Sequence, residues 1–230
     1  MNNIGLIGAM EEEITLVKEV MSDISILEFA GLVFYTGKIN DTSLVVVRSG
    51  IGKVNAAMCT QILIDKFDVE CIINIGVAGA IADDLAIGDI VISTELIEHD
   101  FDVTAFGHKK GIIPRMDTSV FMADIDLIEK AMMAARDLDG AFVKKGIIVS
   151  GDIFVSSVEL KDTLQTDFKA DCAEMEGAAI AHVCLLNKMP FLVIRSMSDK
   201  ANGEAPANFD DFVIESAKNS KKLILTMLTK

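Results

Sequence analysis

The chain has 230 residues, 51% of them hydrophobic and 24% charged, a length that α/β sheets commonly reach as one unit, so a single domain over 1–230 is expected. No apolar run reaches the ~18 residues that a membrane-spanning helix needs. The 21 Lys and Arg against 35 Asp and Glu leave a net charge of −14, which lacks the basic footprint that nucleic acid or an anionic membrane surface requires, so neither is an expected partner.

Apolar, mostly β-branched runs alternate with amphipathic stretches along the chain. Ile4 to Ile7 reads as a first buried strand, and Gly8-Ala-Met-Glu-Glu-Glu13 leads into a helix over 11–21. Residues 26–39 read as two antiparallel strands joined at the Ala30-Gly31 turn. Then follow a strand at Leu44 to Val47, a helix over 53–66, strands at Cys71 to Ile75 and Asp89 to Ile92, and a long irregular stretch over 98–118. A helix over 124–138, a strand at Gly146 to Val149, a helix over 173–187 and a strand at Phe191 to Ile194 complete the alternation. A second irregular stretch over 199–208 precedes a helix over 209–228, with Asn208 as N-cap and Asp211 three positions on. This order predicts an α/β fold with a largely parallel sheet flanked by helices, made mixed by the 26–39 hairpin. Long irregular stretches inside such a domain are commonly functional.

The first residues carry no basic segment ahead of Glu11, Glu12 and Glu13, so a cytoplasmic location is expected. Cys59, Cys71, Cys172 and Cys184 sit in apolar surroundings without CxxC spacing and read as buried reduced thiols. His99, His108 and His182 match no metal spacing, and no metal is expected.

Gly50-Ile-Gly52-Lys-Val-Asn-Ala56 follows a strand and opens a helix, as a dinucleotide fingerprint does. The acid that would hold the ribose at the end of the next strand is missing, since Asn74-Ile-Gly-Val-Ala-Gly79 stands there, so a nicotinamide cofactor is not expected. Both glycine segments end strands on the side where α/β sheets bind ligands, although tight turns alone also account for either one.

Acids gather at three other strand ends. Among Glu11, Glu12 and Glu13, two are accounted for as first-turn acids of a helix. Glu174 and Glu176 lie among small residues, where either one turns toward a ligand or both are first-turn acids. Asp199 follows the strand at Phe191 to Ile194, and Arg195 ends that strand, either as a structural ion pair or as the cation that orients an acid. Three acids from separate strand ends, with one arginine, are a set able to supply the general base, general acid and hydroxyl clamp that glycosidic hydrolysis needs, and spacing alone carries the reading no further.

Gly8-Ala-Met-Glu-Glu-Glu13, Ser49-Gly-Ile-Gly-Lys-Val54, Asp100-Phe-Asp-Val-Thr-Ala-Phe106, Ser150-Gly-Asp152, Glu174-Met-Glu176 and Ser198-Asp199, in that order, closely resemble the 5′-methylthioadenosine/S-adenosylhomocysteine nucleosidases. The resemblance runs from the first strand to Phe212 and implies the nucleoside phosphorylase-like fold, adenine nucleoside substrates, no cofactor and a homodimer. It gives Glu13 the role of general base for water, Glu176 that of the carboxylate on the ribose hydroxyls, and Asp199 that of the acid toward purine N7. Ser198 and Arg195 are implied as supporting residues, and Phe154 and Val155 as the purine-binding segment. Ala78 and Gly79 are implied beside ribose and purine, Met10, Ile51 and Phe209 at the ribose and 5′-thio end, and Met175 in the substrate-binding set. Val103, Phe106 and Pro114 are implied to close the pocket of the other subunit. Where many members read Gly-Ser-Ala-Gly-Gly, this chain has Gly76-Val-Ala-Gly-Ala80, so a side-chain hydroxyl is lost and any contact it made is either absent or replaced by main chain.

A phosphorylase of the same fold needs cations for its phosphate, whereas Glu11, Glu12, Glu13 and Asn74 stand where related phosphorylases carry arginines. A nucleoside sensor without catalysis is the alternative of another class, and retention of Glu13, Glu176 and Asp199 argues against it.

Overall fold

Strand β1 (Asn3–Gly8) shows how the sheet is buried on two sides: Ile4 and Leu6 enter one apolar cluster and Ile7 enters another. In β4 (Thr42–Arg48), Leu44 and Val46 join the first cluster while Val45 and Val47 join the second. Ile73 and Ile75 alternate with Ile72 in β5 (Cys71–Ala80), as Leu192 and Ile194 do with Phe191 and Val193 in β10 (Phe191–Asp199). A side-chain period of two with both faces covered is why these strands read as unbroken apolar runs. Helices α1 (Glu11–Lys18), α3 (Ile125–Ala135) and α6 (Phe209–Thr229) cover the first face; α2 (Lys53–Phe67) and α5 (Gly177–Asn187) cover the second. A smaller cluster packs Leu164 and Phe168 of α4 (Val158–Phe168) against Ile81, Val149 and Val155.

The computed structural model describes residues 3–138, 140–201 and 209–229, with side chains in α6 at 212 and 218–228. The remaining strands are β2 (Ser22–Phe29), β3 (Leu32–Ile39), β6 (Ile90–Glu98), β7 (Phe121–Met122), β8 (Val143–Ser150) and β9 (Cys172–Glu174). They lie in the order β10-β6-β8-β9-β5-β1-β4-β3-β2, with β7 on β6. Because β10 also pairs with β5, five strands close into a ring, and β1, β4, β3 and β2 extend from it as an open wing. Strands β1, β4, β5 and β10 are mutually parallel, while the β2–β3–β4 meander is antiparallel, which makes the sheet mixed. The parallel set brings the ends of β1, β4 and β10 to one edge, where Glu13, Gly52 and Asp199 follow.

Several elements differ from the sequence expectation. The helix expected over 173–187 begins only at Gly177, because Cys172 to Glu174 pair with both β5 and β8. Helix α4 has a polar sequence with few apolar positions, and its Leu164 and Phe168 suffice to seat it. The 98–118 stretch contains a 3-10 turn at Thr104–Phe106 and is tied back by the Gly111 N–H to the Phe101 carbonyl at 2.8 Å. Asn208 lies outside the described residues. The four cysteines are buried and none is joined in a disulfide. Among the described residues no helix is long and apolar enough to cross a membrane.

The hairpin turn falls where expected, with φ of 50° at Ala30 and 78° at Gly31, a left-handed pair suited to a two-residue connection. A Cβ at Gly31 meets no atom within 4 Å, so substitution there is felt only through the backbone. We expect Gly31→Ala to destabilise the fold by about 1 kcal/mol, read as a lower urea midpoint at unchanged slope.

Candidate active site

Glu13 is the N3 residue of α1 and points back over its start rather than outward. Its Oε2 accepts from the N–H groups of Ala9 (2.6 Å) and Met10 (2.9 Å), the reciprocal half of a capping box. Its Oε1 accepts from the Val77 N–H at 3.2 Å, across to β5. The lost hydroxyl at position 77 therefore leaves a main-chain donor on Glu13. Gly76 allows this approach, since a Cβ there would stand 2.6 Å from Glu13 Oε1. Glu11 and Glu12 are exposed, and Glu11 pairs with Lys18. Of the three acids only Glu13 turns into the protein.

Arg195, 1% exposed, lies beneath the site. Its guanidinium donates through Nε (3.2 Å) and Nη2 to Glu174 Oε2, and through Nη2 to Asn74 Oδ1 at 2.5 Å. Glu176 Oε2 stands 3.9 Å from the same Nη2. Glu174 also accepts from the Glu176 and Gly177 N–H groups and from the Ser150 hydroxyl, so it ties the start of α5 to the arginine. Glu176, the N-cap residue of α5, directs Oε1 to the Gly52 N–H at 2.9 Å. Only Glu174 caps the start of α5 with its side chain, and it also holds the cation, while the Glu176 side chain turns away from its own helix to the second strand-end loop.

Asp199 ends β10 just past a register shift in the pairing with β5, where Met197 opposes Ala78 and Asp199 opposes Gly79. The extra residue, Ser198, re-aims the strand end, as bulges do. Asp199 Oδ2 accepts from the Ser198 hydroxyl (3.0 Å) and Oδ1 from the Ala201 N–H (2.7 Å). Lys200 turns away and donates to the Leu85 carbonyl at 2.8 Å.

These groups line one cavity of about 240 Å³. Glu13, Glu176 and Asp199 meet there with Met10, Ile51, Ala78, Gly79, Phe154, Val155, Met175 and Ser198. Ala9, Val77, Ile153, Ala173 and Glu174 also line it, beyond the expected binding set. Ile153 stood in the apolar run after Asp152, which was the available signal; Ala9 and Ala173 offered only their small size. Arg195 does not line the cavity and acts on it through the carboxylates. Val103 and Pro114 are half-buried elsewhere, Phe106 is 84% exposed, and none of the three lines the cavity of the single chain. The Phe209 side chain lies outside the described residues.

Charge in this site is unbalanced, with one guanidinium beside four buried carboxylates, Glu13, Glu174, Glu176 and Asp199. Burial pushes the Glu13 carboxyl above its usual range, against the opposing pull of Arg195 and three N–H donors. Glu176 is pushed up to about 8 by burial and by the Glu174 charge, with Arg195 and the Gly52 N–H pulling the other way. Burial works against the Arg195 charge, but Glu174, Glu176 and Glu13 outweigh it and keep the guanidinium cationic.

The buried acids gather at the strand ends of this ring-and-wing sheet, and a sequence profile of the phosphorylase superfamily matches residues 3–229. The 5′-methylthioadenosine/S-adenosylhomocysteine nucleosidase of Staphylococcus carnosus is 46% identical over 228 residues, 98% of each chain. The nucleosidase of the same name from Neisseria meningitidis, solved with methylthio-immucillin-A, is 42% identical with a TM-score of 0.95, covering 99% of this chain and 98% of that one. The futalosine hydrolase of Helicobacter pylori superposes with a TM-score of 0.94 at 38% identity, covering 99% and 97%. The chain belongs to the 5′-methylthioadenosine/S-adenosylhomocysteine nucleosidase family, within the phosphorylase superfamily, and is an N-glycosyl hydrolase.

The raised Glu176 carboxyl has a consequence for stability. A folded-state pKa of about 8 against an ordinary 4.5 means that the folded chain binds this proton more tightly than the unfolded chain. That contribution is fully present below pH 4.5 and is lost as pH rises through about 8. We expect the Tm of Glu176→Gln, relative to the natural chain, to be higher at about pH 9 than at about pH 5. An equal difference at both pH values would contradict the assigned burial of charge.

Proposed function

We propose that this enzyme cleaves the N-glycosidic bond of 5′-methylthioadenosine and S-adenosylhomocysteine, and also of 5′-deoxyadenosine, releasing adenine and the 5′-substituted ribose. The observation that carries this reading is the convergence of Glu13, Glu176 and Asp199 on one largely apolar cavity beside Phe154 and Val155. Adenine leaves poorly as an anion, so the bond breaks only as the ring is protonated and positive charge grows on the sugar. Asp199, steadied by Ser198, is the proton source toward N7. Glu13 in its ionised form orients a water and takes its proton as the water attacks the anomeric carbon. Its raised pKa makes it a better base than an exposed glutamate, and the surrounding carboxylates favour the oxocarbenium-like transition state. Glu176 has one oxygen fixed by Gly52, and its other oxygen is assigned to the ribose hydroxyls. Met10 and Ile51 are assigned to the 5′ end, with Phe209 beside them.

A homodimer fits this reading. Phe106 is 84% exposed, Val54 79% and Leu186 68%, a costly apolar display for a lone chain. Val103, Phe106 and Pro114 are assigned to complete the neighbouring cavity, and the site is assigned to the cytoplasm's nucleoside pool. Phe106→Ala is then expected to raise KM several-fold for 5′-thio substrates while the particle mass in solution stays that of two chains.

The test is adenine release from 5′-methylthioadenosine in phosphate-free buffer, with S-adenosylhomocysteine, 5′-deoxyadenosine and futalosine alongside. Adenine release from the first two supports the assignment, and cleavage of futalosine alone would replace it. Glu13→Gln and Asp199→Asn are each expected to lower turnover by at least ~100-fold. Near-normal turnover in either variant removes that residue from its role.

A further inference from the structure

Asp152 does not line the cavity, yet it holds two of the loops that do. Its Oδ1 accepts from the backbone N–H of Lys53 at 2.8 Å. Its own N–H donates to Asp100 Oδ2 at 2.9 Å, and Asp100 Oδ1 accepts from Lys53 Nζ at 2.6 Å. Lys53, Asp152 and Asp100 thus form a closed ring of hydrogen bonds that joins the β4–α2, β8–α4 and post-β6 segments. Lys53 Nζ also reaches Glu98 Oε2 at 3.1 Å, and Glu98 Oε1 meets His182 Nδ1 at 2.9 Å, which anchors the ring to α5.

The position of this ring in the chain gives it a bearing on the site. The N–H one residue before Lys53, that of Gly52, donates to Glu176 at 2.9 Å. Successive N–H groups at the start of α2 are therefore divided between two carboxylates from distant segments, one in the cavity and one behind it. Gly52 adopts a φ of 97°, and a Cβ there would stand 3.0 Å from Asp152 Oδ1, so the loop passes close against this aspartate. On the other side of Asp152, Ile153, Phe154 and Val155 line the cavity directly. Burial opposes the ionisation of these acids, but His182 and the Lys53 ammonium hold Glu98, and Lys53 with the Asp152 N–H holds Asp100, below the usual carboxylate range.

We infer that Asp152 is a positioning residue for this reaction: by gripping the Lys53 N–H it sets the Gly52 N–H on Glu176, and so fixes the carboxylate that selects the 2′-hydroxyl. The inference rests on the ribose-clamp role assigned to Glu176 above. Loosening Asp152 leaves Glu13 and Asp199 in place, but frees Glu176 to turn away from the ribose.

The experiment compares the full chain with Asp152→Ala, Asp152→Asn, Asp100→Asn, Glu176→Gln and the double variant Asp152→Ala/Glu176→Gln. Adenine release is followed from 5′-methylthioadenosine and from its 2′-deoxy analogue, with Tm recorded for each protein. Asp152→Ala is expected to lower the kcat/KM preference for the riboside by about tenfold, the scale of one hydrogen bond to a charged group. Asp152→Asn, whose amide oxygen still accepts the Lys53 N–H, is expected to restore most of that preference. In the Glu176→Gln background, Asp152→Ala is expected to change the preference no further. An unchanged preference in Asp152→Ala, or additive effects of Asp152→Ala and Glu176→Gln, overturns the inference. Asp100→Asn, which leaves the Lys53 acceptor in place, is expected to keep the preference; if Asp152→Ala fails to fold, Asp152→Ser, too short to reach the Lys53 N–H, decides by the same loss of preference. Absence of adenine release from the unsubstituted chain would instead overturn the nucleosidase assignment on which the inference rests.

Discussion

One buried guanidinium governs the arrangement of this site. Arg195 is held by Glu174 and Asn74, and Glu13 and Glu176 face it from the cavity side. Burying one cation with several carboxylates is costly unless each group is hydrogen-bonded, and here the remaining oxygens are met by main-chain N–H groups at the starts of α1, α2 and α5. The helix starts, the bulge at Ser198 and the glycine at position 76 are consequences of the same requirement: acids must approach the sheet edge closely and still be satisfied.

This arrangement also decides what the site rejects. Arg195 is occupied by Glu174, and none of the described residues lining the cavity carries a cation. A phosphate dianion entering beside the acids of this cavity would find no compensating cation. Water carries no charge and needs no such partner. Hydrolysis rather than phosphorolysis therefore follows from the charge balance, in agreement with the nucleosidase relatives that share the chain's full length.

Much of the fold was legible because its central strands are buried on both faces and its hairpin turn is a left-handed pair at Ala30 and Gly31. Strand β9 was not, since Cys172 to Glu174 owe their extended form to pairing with β5 and β8, which no local pattern carries. Helix α4 was missed because only Leu164 and Phe168 of its residues are buried. In the site, strand-end position pointed to Glu13, Glu176 and Asp199, but the division of labour between Glu174 and Glu176 depends on contacts with residues more than twenty and more than a hundred positions away. Arg195 lies beneath the cavity rather than in it, a distinction of depth that spacing does not encode.

The most direct test is the fate of phosphate during turnover. With 5′-methylthioadenosine in phosphate buffer, followed by phosphorus NMR, the inorganic phosphate signal should stay unchanged while adenine accumulates and free methylthioribose forms. A sugar 1-phosphate resonance growing in step with adenine would contradict the account, because it would require a cation that this site commits to its own carboxylates.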